Sequence, residues 1–376
     1  MNRPPLRRTT SALAVLLALA CITAACNGST HSTSRSTGSK SRSSSVAFAD
    51  RRLFSADSPW NTRIDSARVD PRSDVMMELA HERIGVLERP GNLAPVIERR
   101  VVNAGLYINT EAWTTPIVTS GSITKLVCRQ TDCGDAIPDN ELAVPAGTDP
   151  DPRYDGWFTI IDQDQKYAYD LWRARRESNN TISYQFVKRW AIDGPGFSAP
   201  QVVGARGSGL PLFAGLIRHA ELVAGRIDHA LAISVPGPAQ RNFVQPASST
   251  DGNGRSTSLP EGARIRLKDN VTLRPGRDPL TGQLIHLSDA QKRAADAIVA
   301  ALRMYGAIVV DRASVPTLYA QRGALTDRLV GNELQGLTLD DFEVVTLSPL
   351  LQYPALTGTA GAGTSGATAA TGESAG

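Results

Sequence analysis

The chain of 376 residues lacks the short motifs that mark several common enzyme classes. It has no Walker-type phosphate loop, no Gly-x-Gly-x-x-Gly turn after a strand, no His-Glu-x-x-His and no Gly-x-Ser-x-Gly. The sequence therefore carries no strong signature of a nucleotide-binding enzyme, a zinc protease or a serine hydrolase. A glycine-rich segment at residues 204–215 has Leu-Pro where a phosphate loop has Lys-Ser/Thr, so it predicts a tight loop whose backbone approaches another chain segment.

The chain also lacks a strong net charge. It has 40 basic and 37 acidic residues, and three of the basic ones, Arg3, Arg7 and Arg8, lie within the first 25 residues. Those 25 residues contain no acidic side chain, so the rest of the chain has 37 residues of each sign. No basic patch remains that would indicate a nucleic-acid partner.

The uncharged run at residues 11–26, after those arginines, is typical of a secretory signal and too short for a mature membrane span. It ends in Thr-Ala-Ala-Cys, which resembles the lipobox of bacterial lipoproteins, whose cysteine is acylated after cleavage. The resemblance implies a lipoprotein-type signal peptide at residues 1–25, a lipid anchor at Cys26 and a location outside the cytoplasm, on the cell membrane. Two alternatives stay open: Cys21 as the acylated residue, and free secretion after ordinary cleavage.

The composition divides the rest of the chain into three parts. Residues 26–46 are rich in Ser and Thr and predict a disordered tether, and residues 357–376 are rich in Gly, Ala and Thr and predict a disordered tail. Between them, residues 47–356 are enough for one large domain.

Only two cysteines fall in the predicted domain, and they lie close together in "CRQTDC". A disulfide between Cys128 and Cys133 suits an oxidising exterior, whereas two cysteines without neighbouring histidines are a weak zinc signal. We therefore expect no cofactor and assign no metal ligands, and leave open a Ca²⁺ among the loop aspartates.

Helix signals are few. Residues 70–85 offer Asp70 as an N-cap and Gly85 as a stop, and residues 288–306 offer a capping box of Ser288 and Gln291 with Gly306 at the end. Most other segments are short alternating runs between turn residues, including a hairpin around residues 162–166, and no repeat of fixed period appears. The sequence predicts a mainly β fold, a large antiparallel β-sandwich of the jelly-roll type with two marginal helices.

Two strand faces carry candidate site residues. Alternation places Tyr107, Asn109, Glu111 and Trp113 together, and aromatic rings beside an amide and a carboxylate are typical of a sugar-binding surface. An outward sheet face with aromatic cross-strand pairs is the alternative. In the hairpin, Asp170 and Trp172 share one face and Tyr169 and Arg173 share the other.

The segment "GRIDHALAIS" places Asp228 next to His229 after a helical turn at residues 216–224 that Gly225 ends. Neighbouring strand residues face opposite sides, so these two side chains are not expected to form a direct dyad. His229 is either a buried histidine with a hydrogen-bonded ring or a base that titrates near neutral pH. Asp228 either forms a salt bridge, with Arg264 or Arg266 as candidates, or belongs to a site that binds a substrate carboxylate.

At this segment the chain resembles a group of exported bacterial proteins, common in actinobacteria, that has no settled activity. The shared segments include "SPWNTRI", "DGWFTIID", "GSGLPLFAGLIR", "GRIDHALAIS" and "ALRMYGAIVVD", and they span nearly the whole predicted domain. The resemblance implies an exported, β-rich single domain and no catalytic assignment. One position departs from the group: a His is expected after Asp155 and Gly156, and Trp157 stands there.

Two classes of function remain. The first is an enzyme that acts on polysaccharide or cell-wall glycan. The plentiful acidic residues of the candidate strands favour a glycoside hydrolase whose carboxylate pair comes from Glu111, Asp170 and Asp228, with a polysaccharide lyase as the alternative. In the lyase, His229 or Tyr169 would be the base and Arg218 or Arg266 would neutralise the uronate. The second class is a non-catalytic surface lipoprotein that binds glycan or a partner protein through Tyr107 and Trp113. Trp172, Arg218 and Arg266 are further candidates for substrate binding.

Overall fold

The computed structural model describes residue 48 and residues 51–87 and 96–355, which all belong to one compact unit of the chain. The predicted signal peptide at residues 1–25, the tether at 26–46 and the tail at 357–376 lie outside the described residues, as do Cys21 and Cys26. Among the helices that are described, none has both the length and the apolar character needed to span a bilayer.

The described residues form three α-helices and eighteen strands. The helices are α1 (Ser73–Ala80), α2 (His219–Ala224) and α3 (Asp289–Met304). The first nine strands are β1 (Glu82–Leu87), β2 (Val96–Val101), β3 (Tyr107–Asn109), β4 (Ile117–Val118), β5 (Ser122–Cys128), β6 (Glu141–Val144), β7 (Phe158–Ile161), β8 (Tyr167–Trp172) and β9 (Arg175–Ser178). The others are β10 (Thr181–Tyr184), β11 (Phe186–Ala191), β12 (Leu231–Val235), β13 (Asn242–Phe243), β14 (Arg264–Leu267), β15 (Ala307–Arg312), β16 (Thr317–Tyr319), β17 (Phe342–Val344) and β18 (Leu351–Gln352).

The prediction of a mainly β domain is confirmed. A six-stranded sheet has the order β17-β14-β15-β12-β16-β3, and two four-stranded sheets have the orders β11-β8-β7-β4 and β6-β5-β10-β9. The sheets are mixed rather than purely antiparallel, because β12 pairs with β15, β16 with β3, β4 with β7 and β10 with β5 in parallel. Parallel strands are joined by long crossover connections. The alternation of residues within one strand does not show whether its neighbour is parallel or antiparallel.

The sheets are stacked in layers that share three apolar cores. One face of the six-stranded sheet packs on α1 and α3 through side chains such as Met76, Ile298 and Ile233. Its other face packs on the β11-β8-β7-β4 sheet, where Ala232 and Ile308 meet the core that Ala168 joins from the opposite sheet. A third core fills the space between the two four-stranded sheets. The core between the six-stranded sheet and the β11-β8-β7-β4 sheet adjoins the polar groups described below.

The helix predictions are confirmed in part. Helix α3 begins after Ser288, whose hydroxyl accepts from the N–H of Gln291 at 3.2 Å while the Gln291 side chain accepts from the Ser288 N–H at 2.9 Å. The predicted boundaries of the first helix are wrong. Asp70 accepts from the N–H of Arg72 in a turn before α1, and β1 runs through Gly85 because the chain leaves the helix at Ala80. The predicted helical turn at residues 216–224 contains helix α2, which adds a third helix to the two that the sequence predicted.

Two local predictions are confirmed. Strands β7 and β8 form the expected hairpin, whose turn is held by Asp162 accepting from the N–H groups of Lys166 at 2.7 Å and Tyr167 at 3.2 Å. Cys128 and Cys133 form the expected disulfide. Both features depend on residues close in sequence.

Candidate functional site

The turn after β3 places Trp113 on the surface. Strand β3 ends at Asn109, and Trp113 lies in the following turn with φ of 53°. Tyr107 and Trp113 therefore do not share one strand face, and the predicted alternation is wrong beyond Asn109, since a left-handed residue breaks the pleat. Tyr107 lies at the start of β3, next to Gly331.

Trp113 instead meets an aromatic partner that sequence reasoning missed. Its ring lies 5.7 Å from the ring of Tyr154, and 45% of the Trp113 surface is exposed. Tyr154 belongs to a 3₁₀ turn, Pro152–Tyr154, at whose start Asp151 accepts from the N–H of Arg153 at 3.1 Å. The Arg153 guanidinium lies over the Tyr154 ring at 5.3 Å.

Arg322 anchors the turn that carries Trp113. Its guanidinium donates to the carbonyls of Glu111 and Thr114, each at 3.1 Å, and so fixes the backbone around Trp113. A hydrogen bond from Arg153 lowers the pKa of Asp151 to about 2, with a smaller contribution from the charge of Arg322. We call the group formed by Glu111, Trp113, Asp151, Arg153, Tyr154 and Arg322 the aromatic surface.

A cavity of about 540 Å³ beside α2 brings together three other predicted site residues, Arg218, Asp228 and His229. Phe54, Trp60 and Phe213 contribute aromatic atoms to its lining, and those three rings are almost completely buried. The polar side chains of the cavity wall therefore determine which ligands the cavity could bind or which reactions it could support.

Most of those polar groups bind one another. Glu221 accepts from the Arg218 guanidinium at 2.7 and 3.1 Å, from the Arg218 backbone N–H at 2.9 Å, and from His229 Nε2 at 2.8 Å. Burial acts to raise the pKa of Glu221, but the charges and hydrogen bonds of His229 and Arg218 outweigh it and lower the value to about 2. We call Arg218, Glu221 and His229 the paired network.

His229 has no free nitrogen in this network. Its Nδ1 lies 2.9 Å from the carbonyl of Ala230, and its Nε2 faces Glu221. The Ala230 carbonyl and the Glu221 carboxylate therefore occupy both ring nitrogens.

Asp228 lies outside the paired network. Strand β12 begins at Leu231, so residues 226–230 form a connection, and the prediction of a strand face at Asp228 and His229 is wrong. The Asp228 carboxylate pairs with Arg226 at 2.7 Å, and more than half of its side chain is exposed. Arg266 pairs instead with Glu343 and donates to the carbonyls of Ile64 and Asp65.

Tyr169, Asp170 and Trp172 alternate in β8 as predicted, but the prediction for Arg173 is wrong, because Arg173 follows the end of β8 with φ of 48°. Asp170 has no exposed surface and accepts from the Thr159 hydroxyl at 2.6 Å and the Leu212 N–H at 2.7 Å. Burial raises the pKa of Asp170 to about 6. Tyr169 is 1% exposed and packs in the core between the two four-stranded sheets, while Trp172 is half-buried under the Arg173 guanidinium. Glu111, Asp170 and Asp228 thus lie on the surface, in the interior and at the cavity wall.

The structure brings together a cluster of three carboxyl groups that the sequence did not predict. Asp251, Glu261 and Asp311 each place an oxygen within 4.8 Å of the others. We call these three residues the carboxylate cluster. Glu261 is completely buried, and neither of its carboxyl oxygens has a hydrogen-bond partner within the described part of the chain. Asp251 is exposed and lies 3.2 Å from Arg312.

A bulge in β15 brings Asp311 into this cluster. Ile233 of β12 pairs with Val309, but the next residue, Ser234, pairs with Asp311, so Val310 is the extra residue. Such a bulge re-aims the side chain that follows it. Burial and the charge of Asp251 raise the pKa of Asp311 to about 7, and burial raises the pKa of Glu261 well above its ordinary value.

An arginine with spare donors adjoins the cluster. Arg206 is 5% exposed, and its guanidinium lies 5.1 and 5.2 Å from the ring centres of Trp157 and Tyr319, which are 6.5 Å from each other. Its Nε and Nη1 atoms are buried without a hydrogen-bond partner. The charge of Arg206 acts to lower the pKa of both Asp170 and Asp311. Trp157 therefore lies next to these polar groups.

The glycine-rich segment at residues 204–215 packs closely against the region of the carboxylate cluster. A side chain at Gly207 would overlap the carboxylate of Asp251, and a side chain at Gly209, with φ of 72°, would overlap the hydroxyl of Ser248. The prediction of a tight loop in close contact with another segment is confirmed.

No protein-family profile matches the chain, and neither a curated protein nor a solved structure does.

Proposed function

We propose that the domain binds a glycan at the aromatic surface. The observation that carries the proposal is the exposed Trp113 ring, whose centre lies 5.7 Å from that of Tyr154, over which the Arg153 guanidinium lies. Sugar rings present flat C–H faces that pack on aromatic rings, and their hydroxyl groups bind carboxylates and guanidinium groups. Glu111 and Arg153 offer both kinds of partner beside the rings.

The rigidity of this surface supports the proposal. Arg322 donates to two carbonyls of the turn that carries Trp113, and Asp151 binds Arg153 beside Tyr154 at 2.7 Å. Side chains that are fixed before binding lose little conformational entropy when a ligand arrives. A glycan would therefore meet a surface that is already arranged.

Binding is favoured over hydrolysis because the predicted carboxylates do not converge. A glycoside hydrolase of the usual type needs two carboxyl groups on either side of one bond. Asp170 has no exposed surface, and Glu111 does not line the cavity whose wall includes Asp228.

Binding is also favoured over β-elimination. A lyase needs a base that takes a proton from the sugar. Ala230 and Glu221 occupy both ring nitrogens of His229, and Tyr169 is 1% exposed, so neither residue offers a free acceptor to a substrate.

The N-terminal sequence gives the proposal its setting. With a lipobox-like segment ending at Cys26 and a polar tether at residues 26–46, the domain would be held outside the cell membrane by a lipid anchor. The partner would then be a cell-wall or environmental polysaccharide.

The test is a panel of immobilised polysaccharides probed with the purified protein and two variants. Trp113→Ala is expected to weaken binding about tenfold, since it removes the larger ring of the platform. Tyr167→Ala is the matched control: Tyr167 is 37% exposed and lies under Arg189, away from Trp113 and Tyr154, so its loss should leave binding unchanged.

Three results would contradict the proposal. The wild-type protein could retain no polysaccharide, or both variants could lose binding equally. Release of reducing ends, or absorbance from unsaturated uronate, would replace the binding function with hydrolysis or elimination.

A further inference from the structure

We propose that Asp251, Glu261 and Asp311 form a binding site for one hard divalent cation, and that Ca²⁺ is the ion that fits it. This site is separate from the aromatic surface and does not depend on the binding of a glycan there.

The geometry of the cluster suits an ion. Its three residues come from separate parts of the chain, yet one oxygen of each lies within 4.8 Å of the others. Two oxygens on opposite sides of a Ca²⁺ with bonds of 2.3–2.6 Å are about 5 Å apart. All three oxygens can therefore contact one ion without a large movement.

Glu261 supplies an independent reason for a ligand. It has no exposed surface, and neither carboxyl oxygen finds a donor among the residues that the structure describes. A charged carboxylate that is buried without a partner is strongly disfavoured, so Glu261 takes up either a proton or a cation. One oxygen of each of two further acidic groups lies within 4.8 Å, so a single cation can neutralise all three carboxylates at once.

The surrounding fold keeps the cluster in this form. The bulge after Val309 places Asp311 opposite Ser234, and the lack of a side chain at Gly207 makes room for the carboxylate of Asp251. Asp251 is exposed, so an ion could enter from solvent and keep water molecules as its remaining ligands.

The donor set selects the kind of ion. The three side chains offer only carboxylate oxygens, which favour hard cations over zinc or copper. Mg²⁺ demands a near-ideal octahedron and usually keeps several waters, whereas Ca²⁺ accepts irregular sets of carboxylates. A group of three carboxylates supplied by the protein alone fits Ca²⁺ better.

The first test is calorimetric titration of the full, chelator-treated protein with CaCl₂ and, separately, with MgCl₂. Wild-type protein is expected to bind one Ca²⁺, and both Glu261→Gln and Asp311→Asn should weaken that binding at least tenfold. Asp164→Asn is the matched control, because Asp164 is a mostly exposed acid in the β7–β8 turn. It should bind Ca²⁺ as tightly as wild type does.

A second measurement keeps the proposal testable if the variants fold poorly. Tb³⁺ added to wild-type protein should show luminescence sensitised by aromatic residues near the cluster, such as Tyr319, and Ca²⁺ should quench it by competition. The proposal is overturned if wild-type protein binds neither cation or if Asp164→Asn weakens binding as much as Glu261→Gln. Tighter binding of Mg²⁺ would overturn the assignment to Ca²⁺.

Discussion

The paired network and the carboxylate cluster are both groups of buried or partly buried charges, but they are satisfied to different degrees. In the paired network, Glu221 accepts four hydrogen bonds from Arg218 and His229. In the carboxylate cluster, Glu261 accepts none, and the adjoining Arg206 leaves two nitrogens without a partner. Charges of opposite sign meet in the first group, and like charges meet in the second.

This difference separates a structural role from a ligand-binding one. A buried charge that is fully paired is part of the folded structure, because removal of one partner leaves the others buried with an uncompensated charge. A buried charge that is left unpaired indicates that the partner comes from outside the chain. On these grounds His229 belongs to the structure of the cavity wall, whereas Glu261 belongs to a binding site.

The largest effect is expected for Glu221→Gln. This substitution leaves Arg218 and His229 facing a neutral amide, and breaking a buried ion pair costs about 3–5 kcal/mol. The free energy of unfolding, measured by urea denaturation at pH 7, should fall by an amount in that range. Asp164→Asn should change it by less than about 0.5 kcal/mol. Equal effects of the two substitutions would refute the structural role of the network.

A somewhat smaller effect on the free energy of unfolding is expected for Asp170, whose buried carboxyl group accepts two hydrogen bonds. Burial raises its pKa from 3.8 to about 6, so the folded protein binds this proton more tightly than the unfolded chain does. The resulting stability is complete below about pH 4 and is lost as the pH rises through about 6, which amounts to about 3 kcal/mol.

Asp170→Asn should remove this pH dependence. An amide can accept from the Leu212 N–H and donate to Thr159, whose hydroxyl can turn to Thr115 at 3.1 Å. Urea denaturation of wild type and variant between pH 4 and pH 7 measures the slope. If the variant keeps the wild-type slope, Asp170 is not its source.

The smallest effect is expected for Glu261→Gln in the absence of divalent cations. Because Glu261 makes no hydrogen bond, its replacement removes no partner, and the free energy of unfolding should change by less than about 1 kcal/mol. The two Glu→Gln variants, at residues 221 and 261, form a matched pair of buried glutamates. A loss at Glu261 as large as that at Glu221 would contradict the distinction between the two groups.

The features that the sequence predicted correctly are local ones. The capping box at Ser288, the hairpin turn at Asp162 and the disulfide at Cys128 each involve residues three to five positions apart. The parallel pairs of the mixed sheets join distant segments such as β3 and β16, and a period of two in one strand does not specify its neighbour.

The candidate sites were predictable to a smaller degree. Trp113 was found through its residue type, but its partner Tyr154 comes from a 3₁₀ turn 41 residues later and gave no periodic signal. The carboxylate cluster was missed because Asp251 and Glu261 lie in loops and Asp311 follows a bulge. Alternation alone cannot predict which face a residue takes after a bulge.

The most direct test of the distinction between paired and unpaired charges is a crystal structure with anomalous diffraction, from crystals grown in Ca²⁺ and then soaked in Tb³⁺. One strong anomalous peak is expected within bonding distance of Asp251, Glu261 and Asp311, and no peak is expected at the paired network. A carboxylate cluster without an ion, or a peak at Glu221 instead, would contradict it.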